Sequence, residues 1–366
     1  MGETVARFEI GYSRCLDSSG RAAGPLPDFA LDPGTVTGLY RALVRTRTFD
    51  TKAIALQRTG RLGTYASSLG QEAVSVGVAS AMRPEDVLLP SFREHGAQLL
   101  RGVTPLELLL YWGGDERGSA FSGPRQDFPI SVPVGSHAPH AVGVALALKL
   151  RREARVAVCI FGDGATSKGD VAEALNISAV WRLPVVFIVS NNQWAISVPR
   201  RLQSAAETLA QKAIAAGLPG EQVDGNDVIA VRLAAAAAIE RARRGDGPSL
   251  LEALTYRLGD HTTADDASRY RGDEEVTPHW QEEPILRLRK YLGESCRWTR
   301  KDEDHLLRET AAEIESASAA YLATAPQEPG LIFHYTYAAL PLDLERQRDA
   351  MLAATELEPA NPKATA

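Results

Sequence analysis

The chain has 366 residues, 45% hydrophobic and 23% charged, enough to bury a sizeable core in one large domain or two modest ones. A formal net charge of −6 with no basic stripe argues against nucleic acid as a partner, and no apolar run reaches the roughly 18 residues of a membrane helix. Cys15, Cys159 and Cys296 are too scattered for a metal site or a disulfide framework, and MGETVARFEI has no apolar signal stretch, so the expectation is a cytoplasmic protein.

Residues 1–34, rich in Pro, Gly and Asp around GPLPDFALDPG, read as an extended arm. Helical periodicity runs from Thr35 to Arg58, with Leu39, Leu43 and Ala53 among its apolar positions, and a second helix is expected over roughly 70–82. EDVLLPS is a short strand, REHGAQLLRG and TPLELLLYWGG are helices, and 113–130 is loop. HAVGVALALKLRR is helix, RVAVCIF strand with Cys159 packed inside it, KGDVAEALNISAVWRL amphipathic helix and PVVFIVS strand. SAAETLAQKAIAAG reads as a helix, EQVDGND as a link, 227–244 as an Ala-rich helix and SLLEALTYR as a strand. Short buried-type strands alternating with helices imply an α/β fold, a doubly wound, mostly parallel sheet with helices on both faces. After the polar loop LGDHTTADDASRYRGDEE, residues 283–321 form charged amphipathic helix. The chain thus divides into an arm (1–34), an α/β domain with helical extensions (35–345) and a tail (346–366) whose end, LEPANPKATA, should fray.

In such a sheet, ligands collect outside the carboxyl ends of the strands. Gly162-Asp163-Gly164 stands at one of these ends and opens a helix. Its glycines allow close backbone approach to a phosphate, and free N–H groups at a helix start favour an anion. Asp163 adds a hard oxygen, and Asn191 and Asn192, ending the next strand, add amide oxygens without further charge. Magnesium takes about six oxygens, shared between protein, water and phosphates, so the set reads as a magnesium diphosphate site. A dinucleotide site fits less well, because Ser167 stands where the third fingerprint glycine belongs and no acidic residue ends the next strand.

Gly-Asp-Gly and Asn-Asn, with the 26 residues 165–190 between them, together resemble the thiamin-diphosphate motif. RTGRLGTYASSLGQEA, SFREHG, SVPVGSHAPHAVG, GDGATSKGDVAEALN, NNQWAISVP, VDGND and LTYRLGDHTTADDASRYR extend the likeness from about Leu39 to Met351. In this order they resemble the alpha subunit of the decarboxylating component of 2-oxo acid dehydrogenase complexes. The resemblance implies a thiamin-diphosphate-binding fold and an alpha-2-beta-2 assembly. It also implies oxidative decarboxylation of a 2-oxo acid, with transfer of the acyl group to the lipoyl group of an acyltransferase component. Pyruvate is the substrate expected, a branched-chain 2-oxo acid the alternative, and a non-catalytic assembly subunit a distant third.

Carried over residue by residue, the resemblance implies that Asp163, Asn192 and the Trp194 carbonyl hold magnesium. It places Arg93, Gly164 and Ala165 on the diphosphate, with Phe92 where a tyrosine is common, and Val134 under the aminopyrimidine. His261 is the candidate catalytic group, facing the thiazolium and lipoyl, with Arg257 steadying its loop or meeting an anionic cofactor group. His95 and His137 are expected to line the channel, and Tyr65 and Ser67 to shape the substrate pocket. The glutamate that such enzymes set against the aminopyrimidine has no counterpart here, so the resemblance implies that a beta subunit supplies it.

Overall fold

The computed structural model describes residues 2–357. The chain divides into two compact units, Met1–Tyr321 and Leu322–Ala366. The first is built on eight strands: β1 (Tyr12–Ser13), β2 (Val87–Leu89), β3 (Ala157–Gly162), β4 (Val185–Asn191), β5 (Trp194–Ala195), β6 (Val198–Pro199), β7 (Gly220–Asp224) and β8 (Ser249–Leu254). Six of them form one sheet in the order β1-β7-β8-β4-β3-β2, parallel at every pairing, and β5 and β6 form a short antiparallel pair.

Alternation along the strands gives each face of the sheet its own core. Val158, Ile160, Val186, Ile188, Leu251 and Ala253 bury against the helices Pro33–Arg58, Glu72–Ala81, Val228–Arg243 and Pro284–Ser295. Ala157, Cys159, Phe161, Val185, Phe187 and Val189 bury against His137–Leu150, Gly169–Val180 and Gln211–Ala216. Both cores keep the carboxyl ends of β3, β4 and β8 in register, with Gly162 beside Ser190 and Asn191 beside Leu254. Among the described residues no helix is long and apolar enough to cross a membrane.

Several elements differ from expectation. The arm carries β1, which joins the sheet edge beside β7 (Tyr12 opposite Gln222), and the Cys15 and Leu16 amides donate to buried Asp227 at 2.7 and 2.6 Å. A two-residue strand is too short to show periodicity, and β7 has only Val223 and Asp224 buried, so it reads as a link. The helix expected from Ser204 occupies only Gln211–Ala216, ended by Gly217 in the left-handed region (φ 75). The helical stretch 283–321 is two helices, Pro284–Ser295 and Arg300–Leu322. Arg297 breaks it at φ 57, and the reciprocal Thr299–Asp302 bonds restart it as a capping box does. Gly-Asp-Gly opens a 3₁₀ turn, Asp163–Ser167, with the α-helix beginning only at Gly169. In the second unit, a helix Leu342–Leu357 runs through most of the stretch expected as tail; the end of LEPANPKATA, beyond Leu357, lies outside the described residues.

Candidate active site

The end of β3 sets the first wall. Asp163 is 2% exposed, and its Oδ2 accepts from Gln203 Nε2 at 2.9 Å. Burial raises its carboxyl pKa, with Arg257 acting on it only through space, so the group is a desolvated carboxylate short of a cation. A Cβ on Gly164 would stand 2.8 Å from the Ala195 Cβ, so only glycine lets the 3₁₀ turn and β5 close together. At the end of β4, Asn192 Oδ1 accepts from the Trp194 amide at 3.1 Å while its Nδ2 donates to Gln71 Oε1 at 2.8 Å. Gln193 and Ile196, at φ 72 and 56, reverse the chain on either side of Trp194. Among the described residues no three His, Cys, Asp or Glu side chains gather to hold a metal ion unaided. A cation here would draw on one carboxylate, an amide oxygen and a carbonyl, with a ligand supplying the rest.

The opposite wall is cationic. Arg93 is 7% exposed; it donates to the Ser67 carbonyl through Nη1 and to the His261 carbonyl at 2.7 Å through Nη2. The same Nη2 lies 3.0 Å from His261 Nδ1. A guanidinium has no acceptor, so Nδ1 accepts and the imidazole proton sits on Nε2. Burial, then the charges of Arg93 and Arg257, presses the His261 pKa down from 6.5 to about 4, so the ring is neutral near pH 7. Burial and the neighbouring Arg257 likewise lower Arg93 to about 10, still cationic. Arg257 donates to the Ile196 carbonyl at 2.8 Å and the Tyr270 hydroxyl at 2.7 Å, and Asp265 Oδ2 accepts from the His261 amide and that hydroxyl. The loop carrying His261 is thereby tied to the Trp194 turn.

Between the walls lies a cavity of about 170 Å³. Phe92, Arg93, Val134, Asp163, Gly164, Ala165, Asn192, Trp194 and His261 all line it; Arg257 stands behind, touching its rim. Gln71 and Glu94 also line it without having been singled out, although both fall within the quoted segments SSLGQEA and SFREHG. Two buried polar atoms of lining residues, Gln71 Nε2 and His137 Nδ1, have no partner, which suits a polar ligand better than a packed core. His95 and Tyr65 are not part of this wall. His95 is wholly buried between the Tyr65 hydroxyl and Trp112 Nε1, and burial followed by the Arg93 charge lowers its pKa to about 3, a neutral packing residue. Ser67 reaches the site only through the carbonyl that holds Arg93. A larger open groove of about 490 Å³ adjoins at the ends of β7 and β8, between Tyr12, Asp224, Asn226 and Arg287, but shares only Trp194 with the selected set.

The family model described as dehydrogenase E1 component matches residues 40–329. The chain belongs to the dehydrogenase E1 component family. The E1 chain is 44% identical over 320 residues to 3-methyl-2-oxobutanoate dehydrogenase subunit alpha of Mycobacterium tuberculosis, covering 87% of each. It is 40% identical over 333 residues to pyruvate dehydrogenase E1 component subunit alpha of Acholeplasma laidlawii, covering 90% of this chain and 96% of that one. The Staphylococcus aureus protein of the same name is 37% identical over 350 residues, with coverages of 95% and 94%. The chain is therefore an enzyme component of a 2-oxo acid dehydrogenase, and membership of the family implies thiamin diphosphate as cofactor.

Proposed function

We propose that this chain is the alpha subunit of a 2-oxo acid dehydrogenase, holding the magnesium diphosphate end of thiamin diphosphate and supplying His261 to acyl transfer. The observation that carries this is the meeting, in one cavity, of a cation-deficient buried carboxylate, an amide oxygen, buried Arg93 and a neutral histidine, with buried Arg257 directly behind the wall. Thiamin diphosphate, when bound, supplies the carbanion chemistry by which a 2-oxo acid loses carbon dioxide.

Asp163, Asn192 Oδ1 and the Trp194 carbonyl would hold magnesium, with diphosphate oxygens completing its shell. Arg93 offers donors to the diphosphate, beside the backbone of Gly164 and Ala165. Phe92 gives this wall an aromatic edge toward His261, ring centroids 6.0 Å apart, without a hydroxyl. Val134 supports the cofactor from the exposed lip of the cavity. His261, its proton held on Nε2 by Arg93, can offer a hydrogen bond there while staying neutral, because both flanking arginines oppose the imidazolium.

A beta subunit would complete the site. The cavity is smaller than the roughly 300–1,000 Å³ of a full ligand pocket. Its one lining glutamate among the described residues, Glu94, is held by Ser91 Oγ at 2.6 Å and the Arg93 amide. The acyl acceptor would be the lipoyl group of an acyltransferase component. For the substrate, pyruvate is supported by the relatives at 40% and 37% identity. 3-Methyl-2-oxobutanoate is supported by the relative at 44%. The test is decarboxylation by the chain co-purified with its beta partner, using an artificial electron acceptor and both acids. Turnover requiring beta subunit, thiamin diphosphate and magnesium is expected, and preference for one acid assigns the substrate. Equal turnover by the chain alone, or none dependent on cofactor, would overturn the proposal.

A further inference from the structure

We infer that Glu252, outside the cavity, is a positioning residue that sets the turn presenting Asn192 and Trp194, an inference that rests on the magnesium role proposed for that turn. Glu252 lies in the middle of β8 and is 1% exposed. Its face of the strand is the one buried by Leu250 in the apolar core, an expensive place for a carboxylate. No ion pair to it is found among the described residues. Its Oε1 accepts from Asn191 Nδ2 at 2.6 Å, and its Oε2 from the Ala210 backbone amide at 3.0 Å, at the start of the helix Gln211–Ala216. Both donors are neutral, and one of them belongs to the residue that opens the turn after β4.

What the carboxylate does is fix the direction of an amide. A carboxylate accepting through both oxygens accommodates only the NH₂ end of Asn191. The Asn191 oxygen is therefore turned the other way, where it accepts from Gln193 N at 3.2 Å and Gln193 Nε2 at 2.8 Å. Gln193 sits at φ 72, a region costly for a residue with a Cβ, and it lies directly between Asn192 and Trp194. The Asn191 oxygen holds that residue by both backbone and side chain, while Arg200 N donates to the Gln193 carbonyl at 2.8 Å. The order of dependence runs from Glu252 through the Asn191 amide to the Gln193 backbone, and from there to the Asn192 side chain and the Trp194 carbonyl.

Glu252→Gln tests this with little change in volume. Its new NH₂ must face either Asn191 Nδ2 or the Ala210 amide, both donors, so the Asn191 amide flips or one bond is lost. Two measurements are made on the chain in complex with its beta partner. The first is amide hydrogen exchange over 191–196 without cofactor or metal. The second is calorimetric binding of thiamin diphosphate across magnesium concentrations. We expect faster exchange in that segment and about a tenfold higher magnesium requirement, equivalent to about 1.4 kcal/mol, with turnover at saturation changed less than about twofold. Gln193→Gly, which removes the strain at φ 72, sets a second baseline. In Glu252→Gln/Gln193→Gly the magnesium requirement should lie within about threefold of that baseline, because glycine no longer needs the Asn191 oxygen to hold its backbone. Unchanged exchange in Glu252→Gln overturns the inference, as does a loss of equal size with and without Gln193→Gly. A wild-type complex that binds the cofactor without regard to magnesium overturns the metal reading of the turn, and the exchange result then stands apart from it.

Discussion

Glu94→Gln should stabilise the protein, and the gain should grow with pH. The side chain is 4% exposed in the wall of the candidate site, and burial raises its pKa from 4.5 to about 7, against the lowering effects of Ser91, the Arg93 amide and the Arg93 charge. Because the folded-state pKa lies above the unfolded one, the folded protein binds a proton that the unfolded chain releases between these values. The contribution is fully favourable below about pH 4.5 and is lost as pH rises through about 7. A rise from 4.5 to about 7, at about 1.4 kcal/mol per pH unit, is worth about 3 kcal/mol above neutrality. Glutamine keeps an oxygen that can accept from Ser91 Oγ and the Arg93 amide and has no charge to desolvate. With an unfolding entropy of about 2 cal/mol/K per residue over the unit Met1–Tyr321, that becomes a Tm gain of about 4–5 °C at about pH 8, and only about 1 °C at about pH 5, where about a quarter of the effect has developed. Thermal unfolding of both proteins at the two pH values measures it. An equal gain at both, or a loss at the higher pH, would refute a buried carboxylate strained by desolvation.

Asp163→Asn should abolish magnesium-dependent cofactor binding by calorimetry without lowering the Tm of the free protein, since it removes a desolvated charge; undiminished magnesium-dependent binding would remove Asp163 from the ligand set. Arg93→Met should raise the His261 pKa from about 4 by about one unit in an NMR titration, because burial, the larger cause, persists; an unmoved value would mean that Arg93 does not set its charge state. Gly164→Ala puts a Cβ 2.8 Å from that of Ala195, so β5 must retreat, and about a tenfold loss of cofactor affinity is expected; wild-type affinity would show that the close approach is not needed.

The sheet was legible because its middle strands are buried on both faces: AVCIFG and VVFIVSN read as runs, and the polar residues at or just beyond their ends mark the ligand edge. β1 and β7 were not, because their stability comes from pairing and from Asp227 accepting two amides about 210 residues away, which leaves no local pattern. The candidate site divides the same way. Asp163, Asn192 and His261 bear groups whose chemistry is visible in their residue type. The residues that aim them are not: Gln71 lies 121 positions from Asn192, Gln203 lies 40 from Asp163, and Glu252 sits inside an otherwise apolar strand where a lone acid reads as an interruption.

The least legible feature is also one on which the proposed metal site rests. Asn192, Gln193 and Trp194 contain no glycine, yet the turn needs φ 72 at Gln193 and φ 56 at Ile196. A sequence rule assigns such angles to glycine or asparagine, and Asn191 and Asn192 stand next to the position without occupying it. Asparagine's other property is used instead: its amide can be directed, one end to a carboxylate and the other to a strained backbone. A glycine at 193 would adopt the turn freely but would also leave it freely. Gln193 held by Asn191 gives a turn that is costly to form and has few alternatives, so the Asn192 oxygen and the Trp194 carbonyl are positioned before any ligand arrives. The strain stored at Gln193 and the buried charge at Glu252 are, on this argument, two costs of one pre-organised turn.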